Sequence, residues 1–248
     1  MKAEEKIEHK QLMKVSRKAG RAIMDYQMIQ EGDKICVAVS GGKDSLSLMH
    51  VLRHRLRMSP VKFEFAAVHI DFEFSDFKPQ ILIDYFKAHG FSYYVRTVDF
   101  IKGEKYEDID CFWWSRNRRK ALFQFAEKEG FKKIAFGHHI DDIVETIILN
   151  QFYRGEIGAM KPKQVLFEGG ITLIRPLAYV REQAMVELAK ELKIDSMGQS
   201  KCAFDDTSHR MKIKNMLRAF EKDNPAIIKN IFNSLQNIKS EYLLDIPE

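Results

Sequence analysis

Residues 35–46 read ICVAVSGGKDSL. Ile35 to Val39 form a short, β-branched stretch that is apolar at every position, the composition of a strand buried inside a parallel sheet. Ser40, Gly41, Gly42, Lys43, Asp44 and Ser45 follow at once, and residues 44–56, DSLSLMHVLRHRL, return to helical period. A strand, a glycine loop and a helix in that order can hold an anion. The glycines let backbone N–H groups approach it, the helix offers its positive end, and Lys43 and the two serine hydroxyls add donors. A Walker loop needs four residues between its first glycine and the Gly-Lys-Ser/Thr end, and no segment of the chain has that spacing. The loop is a different phosphate cradle, set against the blander reading of a capped strand-to-helix turn.

Working outward, residues 63–71 (FEFAAVHID) read as a second strand. A helix around 78–90 ends at Gly90, and residues 92–100 (SYYVRTVDF) read as a third strand. A helix from about 114 to 130, the strand KKIAFG at 132–137 and a helix opening in HIDDIVETIILNQF at 139–152 continue the alternation. The repeat of strand and helix predicts an α/β fold with a doubly wound parallel sheet, in which ligands bind beyond the carboxyl ends of the strands. Residues 4–30 carry helical periodicity. Residues 155–170 (GEIGAMKPKQVLFEGG) predict an ordered loop or short hairpin, and 171–177 (ITLIRPL) a last strand. Helices are predicted at 182–194, 211–224 and 225–244. The expected organisation is an N-terminal helical segment over 1–30, an α/β core over 31–180 and a C-terminal helical segment over 181–248 packed on that core.

The 248 residues are 45% hydrophobic, enough for a full core. Lys and Arg outnumber Asp and Glu by 40 to 35, an excess that suits a polyanionic partner without establishing one. Three cysteines, at 36, 111 and 202, are too few and scattered for a secreted disulfide framework and point to a reducing cytosol. The charged first residues contain no apolar targeting core, and no run reaches about 18 apolar residues, so a cytoplasmic protein without a membrane span is expected. Cys36, inside the first strand, reads as core packing.

SGGKDS at 40–45 resembles the pyrophosphate-binding loop of the PP-loop ATP pyrophosphatases, which adenylate a carbonyl oxygen and release pyrophosphate. Residues 111–150 (CFWWSRNRRKALFQFAEKEGFKKIAFGHHIDDIVETIILN), 174–182 (IRPLAYVRE) and 216–238 (MLRAFEKDNPAIIKNIFNSLQNI) are similar to the tRNA 2-thiocytidine synthetases, a branch of the tRNA thiolation enzymes. The likeness runs from about 15 to 243. It implies an adenine-nucleotide-hydrolase-like fold that binds ATP and Mg²⁺, with Ser40 to Ser45 around the phosphates and Lys43 and Asp44 catalytic. It further implies that His139 and Asp142 face the nucleotide and that Asp44 or Asp142 positions the magnesium, which favours a carboxylate or two beside phosphate oxygens. By spacing, Asp141 with Glu145 and Asp142 with Thr146 each share a helix face. His69 and Asp71, at the end of the second strand, are candidates for the adenosine pocket or a satisfied strand-end pair. The implied activity is that of an ATP-dependent tRNA sulfurtransferase, with tRNA and a sulfur donor such as a desulfurase persulfide or sulfide as partners, acting as a homodimer.

The cysteines depart from the resembled pattern. That family holds a 4Fe-4S cluster with a Cys-x-x-Cys and a third, distant cysteine. Here Cys111 is followed at the second position by Trp114, and Cys202 falls where the third should be. Indole cannot ligate iron, so a three-cysteine cluster cannot form at these positions. Three readings stay open: Cys111 and Cys202 as a persulfide and resolving pair, a cluster completed by Asp205, Asp206 or His209, or two structural cysteines in an enzyme that adenylates something else. Arg116, Arg118, Arg119 and Lys120 form a basic run at the expected start of a helix, where they would oppose its dipole unless an anion lies nearby. With Trp113 and Trp114 beside it, the run is a candidate RNA-binding element for a stacked base and its phosphates. The alternatives to thiolation are a lysidine-synthetase-like adenylation with an amine nucleophile, and an ATP-binding module without sulfur chemistry.

Overall fold

In the computed structural model, which describes residues 9–72, 78–98, 111–194 and 209–244, the alternating positions of residues 35 to 37 point to opposite layers. Ile35 and Val37 join one buried cluster with Val15, Ala19, Leu48, Leu52 and Leu188. Cys36 joins another with Ala66, Val68, Leu122, Ala126 and Ile134. A strand buried on both faces needs helices on both faces, and the element order supplies them. Strands β1 (Asp33–Ala38), β2 (Phe63–Asp71), β3 (Tyr93–Thr97), β4 (Lys133–Ala135), β5 (Lys163–Leu166) and β6 (Ile171–Ile174) lie in the order β3-β2-β1-β4-β6-β5. All neighbours are parallel except β5, which returns antiparallel on β6 as the hairpin arm foreseen for 155–170. The chain winds outward from β1 through β2 to β3 and then restarts at β4 on the other side of β1, so the sheet's switch point lies between β1 and β4.

The helices are α1 (Lys10–Asp25), α2 (Lys43–Met58), α3 (Gln80–His89), α4 (Cys111–Lys128), α5 (Ile140–Arg154), α6 (Glu182–Glu191), α7 (His209–Asp223) and α8 (Ile227–Ser234). Contacts divide the chain into one unit of residues 1–139 and 161–204 and another of 140–160 and 205–248. The first holds the sheet, and α1, α2 and α6 pack together within it. The second gathers α5, α7 and α8, where the half-exposed Arg210 reaches the buried Glu145 carboxylate at 3.3 Å.

Two of the boundaries that differ from the periodicity are those of α4 and α8. Helix α4 begins at Cys111, three residues earlier than expected. The basic run therefore lies in its second and third turns, beyond the reach of the dipole argument. Helix α8 stops at Ser234 because side chains there satisfy the backbone: Ser234 Oγ donates to Ile231 O at 2.7 Å and Asn237 Nδ2 to Asn233 O at 3.1 Å.

Register at the amino ends of the strands is held by an ion pair between Lys133 Nζ and Asp33 Oδ2 at 2.5 Å, with both side chains mostly buried. On the far side of α2, His50 Nε2 and the Tyr85 hydroxyl share a hydrogen bond of 2.6 Å. Burial, then Arg53, His89 and His9, push the His50 pKa down to about 3. Its folded pKa lies below the unfolded value of about 6.5, so the unfolded chain takes up the proton first. Stability from this group is complete above pH 6.5 and is lost as pH falls toward 3. Linkage predicts that folding free energy drops by about 2 kcal/mol from this residue between pH 7 and pH 5. Urea unfolding at the two pH values should show that difference in the parent and its loss in His50→Gln.

Candidate nucleotide site at the switch point of the sheet

The backbone bonds of β1 and β4 continue past their ends into two adjacent loops. Val39 N–H donates to Val68 O at 2.9 Å, and Phe136 N–H donates to Ile174 O at 3.0 Å. Residues 39–42 and 136–139 therefore leave the carboxyl ends of the two strands that flank the switch point, the crevice where such sheets take their ligands.

The first loop is shaped for an anion. Gly41 sits at φ +89°, a conformation that side chains disfavour, and Gly42 precedes α2 in an extended conformation with no side chain capping the helix. The first N–H groups of α2 are left for another acceptor, at the end of the helix where negative charge is favoured. The serines brace the loop from inside. Ser45 Oγ donates to Gly42 O at 3.0 Å and accepts from Ser40 N–H at 3.3 Å, while Gly42 N–H donates to Ser40 Oγ at 3.3 Å. Lys43 Nζ lies 2.8 Å from Asp44 Oδ2, both side chains about a third exposed. Asp44 Oδ1 is buried and has no hydrogen-bond partner among the described residues, an arrangement that a bound cation or its water would relieve. The chemistry therefore fits phosphate in the cradle and Mg²⁺ on Asp44.

His69, at the end of β2, donates from Nδ1 to Val39 O at 2.8 Å, tying β2 to the base of the loop. Burial leads the lowering of its pKa, so it is a neutral imidazole at pH 7. His139 is buried at the mouth of the second loop, and His138 stacks on Phe136 at 5.5 Å. Asp142 stands in the first turn of α5, within the other unit. In α5 the Thr146 hydroxyl donates to the backbone carbonyl of Asp142 at 2.9 Å, and Glu145 pairs with Arg210.

Arg118 lies over the Phe72 ring at 5.8 Å, close enough for its charge to act on His69, and Arg119 Nη2 donates to Ser115 Oγ at 3.4 Å. Arg116 is exposed. Cys111 is the first residue of α4, with Trp114 in the same turn. Cys202, Asp205 and Asp206 lie outside the described residues, and His209 opens α7. Among the described residues no group of three metal-binding side chains is assembled.

Two residues escaped the sequence reading. Arg175 follows β6 and is 94% buried, its Nη1 donating to Lys161 O and its Nε unpartnered among the described residues. Burial, with Arg119 second, lowers its pKa to about 10. A lone charge inside ITLIRPL was its only signal. Gly137 matters for space: a Cβ there would lie 3.0 Å from both the Asp44 carbonyl carbon and the Ser45 nitrogen. Those are backbone atoms of the phosphate cradle and cannot swing aside. Gly137→Ala is expected to cost about 1–3 kcal/mol of stability and to weaken ATP binding about tenfold by displacing the loop. Thermal unfolding and ATP titration of the variant check both.

The profile of the PP-loop domain family matches residues 11–219. The tRNA-cytidine(32) 2-sulfurtransferase of Geobacter sulfurreducens is 37% identical over 97% of this chain and 95% of its own. That of Alcanivorax borkumensis is 41% identical over 94% of this chain and 83% of its own. A U34-tRNA thiolase of Methanococcus maripaludis, solved with its 4Fe-4S cluster, superposes with a TM-score of 0.75 at 19% identity, covering 94% of this chain and 80% of that one. At that identity the likeness is one of fold.

Proposed function

This chain belongs to the PP-loop domain family, and from that premise we propose that it is an ATP-dependent tRNA sulfurtransferase acting on the C2 oxygen of a cytidine. The reading is carried by the Ser40–Ser45 cradle at the switch point of a chain whose relatives, tRNA-cytidine(32) 2-sulfurtransferases, match it along nearly its whole length. In this reading the C2 oxygen attacks the α-phosphorus of ATP. Pyrophosphate leaves into the loop, and the resulting adenylate turns a poor leaving oxygen into a good one. Lys43 and the N–H groups at the start of α2 hold the charge that grows on the departing pyrophosphate. Mg²⁺, held by Asp44 with Asp142 as second candidate, supplies further charge neutralisation when bound. His69, as a neutral imidazole, and His139 line the nucleotide as hydrogen-bonding groups.

For the sulfur step, the chain's own residues favour a thiol pair, because Trp114 offers no donor for iron where the resembled cluster needs its second thiolate. A persulfide on Cys111 attacks C2 and expels AMP, leaving Cys111 joined to the base through a disulfide. The Cys202 thiolate then attacks Cys111 Sγ, releasing the 2-thio base and forming a Cys111–Cys202 disulfide that an external thiol reductant reopens. The persulfide sulfur comes from a desulfurase persulfide, whose outer sulfur passes to the Cys111 thiolate as the donor's own thiolate leaves, or from sulfide that attacks Cys111 Sγ of the Cys111–Cys202 disulfide and expels the Cys202 thiolate. Arg116, Arg118 and Arg119 hold phosphates near the target base. We place the enzyme in the cytoplasm as a homodimer, as the family resemblance implies; among the described residues, no helix is long and apolar enough to cross a membrane.

AMP release tests the reading: it should depend on unmodified tRNA and proceed one for one with pyrophosphate. Equal AMP formation with and without tRNA would contradict it and favour an adenylating enzyme with a different acceptor.

A further inference from the structure

Helix α1 has no part in the nucleotide site, yet its net charge is close to that of the whole chain. It contains Lys10, Lys14, Arg17, Lys18 and Arg21 against the single carboxylate of Asp25, a net charge of +4. The whole chain has a formal excess of +5. Packing explains the distribution of these cations. Val15, Ser16, Ala19 and Ala22 are buried against α2 and α6, which leaves Lys10, Lys14, Arg17 and Arg21 exposed at spacings of four, three and four. Residues so spaced share one face, about 5–6 Å apart from neighbour to neighbour. From Lys10 to Arg21 the row spans about 16 Å.

Among the described residues, the carboxylates beside this helix, Glu191 and Asp25, are engaged elsewhere. Glu191 accepts from the backbone N–H groups of Gln11 and Leu12 at 2.8 and 2.9 Å, capping the start of the helix. Asp25 pairs with Arg21 at 3.5 Å. Lys10, Lys14, Arg17, Lys18, Arg55 and Arg57 have no ion-pair partner among the described residues. Helix α2 extends the face. Gly20 lets the Arg55 guanidinium lie on α1: a Cβ at position 20 would come 2.7 Å from Arg55 Cζ. His54, whose Nδ1 shares a 2.8 Å hydrogen bond with the buried Ser16 hydroxyl, is held below its usual range by burial and then by Arg55 and Arg57.

We propose that the row Lys10, Lys14, Arg17 and Arg21, together with Arg55, is a docking surface for the phosphate backbone of RNA, separate from the base-handling site at the strand ends. A straight row of exposed, flexible cations, of which Lys10, Lys14 and Arg17 have no ion-pair partner among the described residues, suits a polyphosphate chain and carries no base specificity. Like charges crowded on one face repel until an anion occupies it. The proposal rests on the reading of this chain as a tRNA-modifying enzyme and adds where the body of the RNA is held.

The experiment is binding of an unmodified tRNA transcript by the full chain between 50 and 200 mM salt. In the triple variant Lys10→Gln, Lys14→Gln, Arg17→Gln, the salt slope should shrink by about 2–3 and tRNA affinity should fall about 10- to 100-fold, with ATP affinity unchanged. The charge-preserving Lys14→Arg, Arg17→Lys variant should bind like the parent. On tRNA binding, the His54 titration followed by NMR should move up toward its ordinary value. Parent-like affinity and slope in the triple variant overturn the proposal, as does loss of binding to anionic vesicles with tRNA binding intact. Failure of the parent chain itself to bind tRNA would overturn both this proposal and the functional reading beneath it.

Discussion

Replacing Lys43 by alanine is expected to slow AMP formation about 100- to 1000-fold, the range found when one donor to a developing charge is removed. Its Nζ lies at the head of α2, beside the open N–H groups of the cradle, with Asp44 at 2.8 Å as its present partner. Bound pyrophosphate competes for that ammonium, and its charge grows as the α–β bond breaks, so the loss should fall mainly on kcat. Stability should hardly change, because the Lys43–Asp44 pair is about a third exposed and such pairs contribute about 0–1 kcal/mol. Lys43→Arg should recover only part of the rate, since a guanidinium is larger and differently shaped than the point charge it replaces. A kcat within threefold of the parent in Lys43→Ala would remove Lys43 from the chemistry.

Substitution of either Cys111 or Cys202 by alanine should lower tRNA thiolation by about 1000-fold or more, as when one member of a covalent relay is deleted. A single-turnover burst of pyrophosphate should survive in both variants, because adenylation precedes the sulfur step that expels AMP. After reconstitution with iron and sulfide without oxygen, the parent should hold no specific iron. After incubation with a persulfide donor it should carry one labile sulfur on Cys111, retained in Cys202→Ala. About four irons per chain, lost in both cysteine variants, would instead mean that a non-cysteine ligand such as Asp205, Asp206 or His209 completes a cluster. Full thiolation by both alanine variants would leave Cys111 and Cys202 as structural residues.

Much of the fold was legible because its signals are local. Residues 63–71 form β2 over the expected span, and the continuous apolar run at 35–39 identified a central strand whose two faces both proved buried. The SGGKDS loop carried its signals locally as well: the glycines, hydroxyls and charges that shape it all lie within six residues. What escaped depends on distant partners. Nothing near Gly137 announces that the backbone of Asp44 and Ser45 lies against it. The buried Arg175 is recognisable only once Lys161 and Arg119 surround it. Glu145 was read with Asp141 because they share a helix face, but its cation, Arg210, comes from another helix. The early start of α4 was missed because Cys111, Phe112 and Trp113 are of middling helix propensity, although Asp110, a residue type that favours the position before a helix, stands just ahead of them in the sequence.

The central claim, that ATP is used to replace oxygen by sulfur on a tRNA base, is tested most directly by the product. The purified enzyme would be incubated with ATP, Mg²⁺, a persulfide donor and unmodified tRNA, and the tRNA digested to nucleosides for mass spectrometry. The account predicts a cytidine carrying sulfur in place of its C2 oxygen, formed one for one with AMP and absent without ATP. AMP and pyrophosphate released with no thionucleoside, or with a base bearing an amine-linked group, would contradict it.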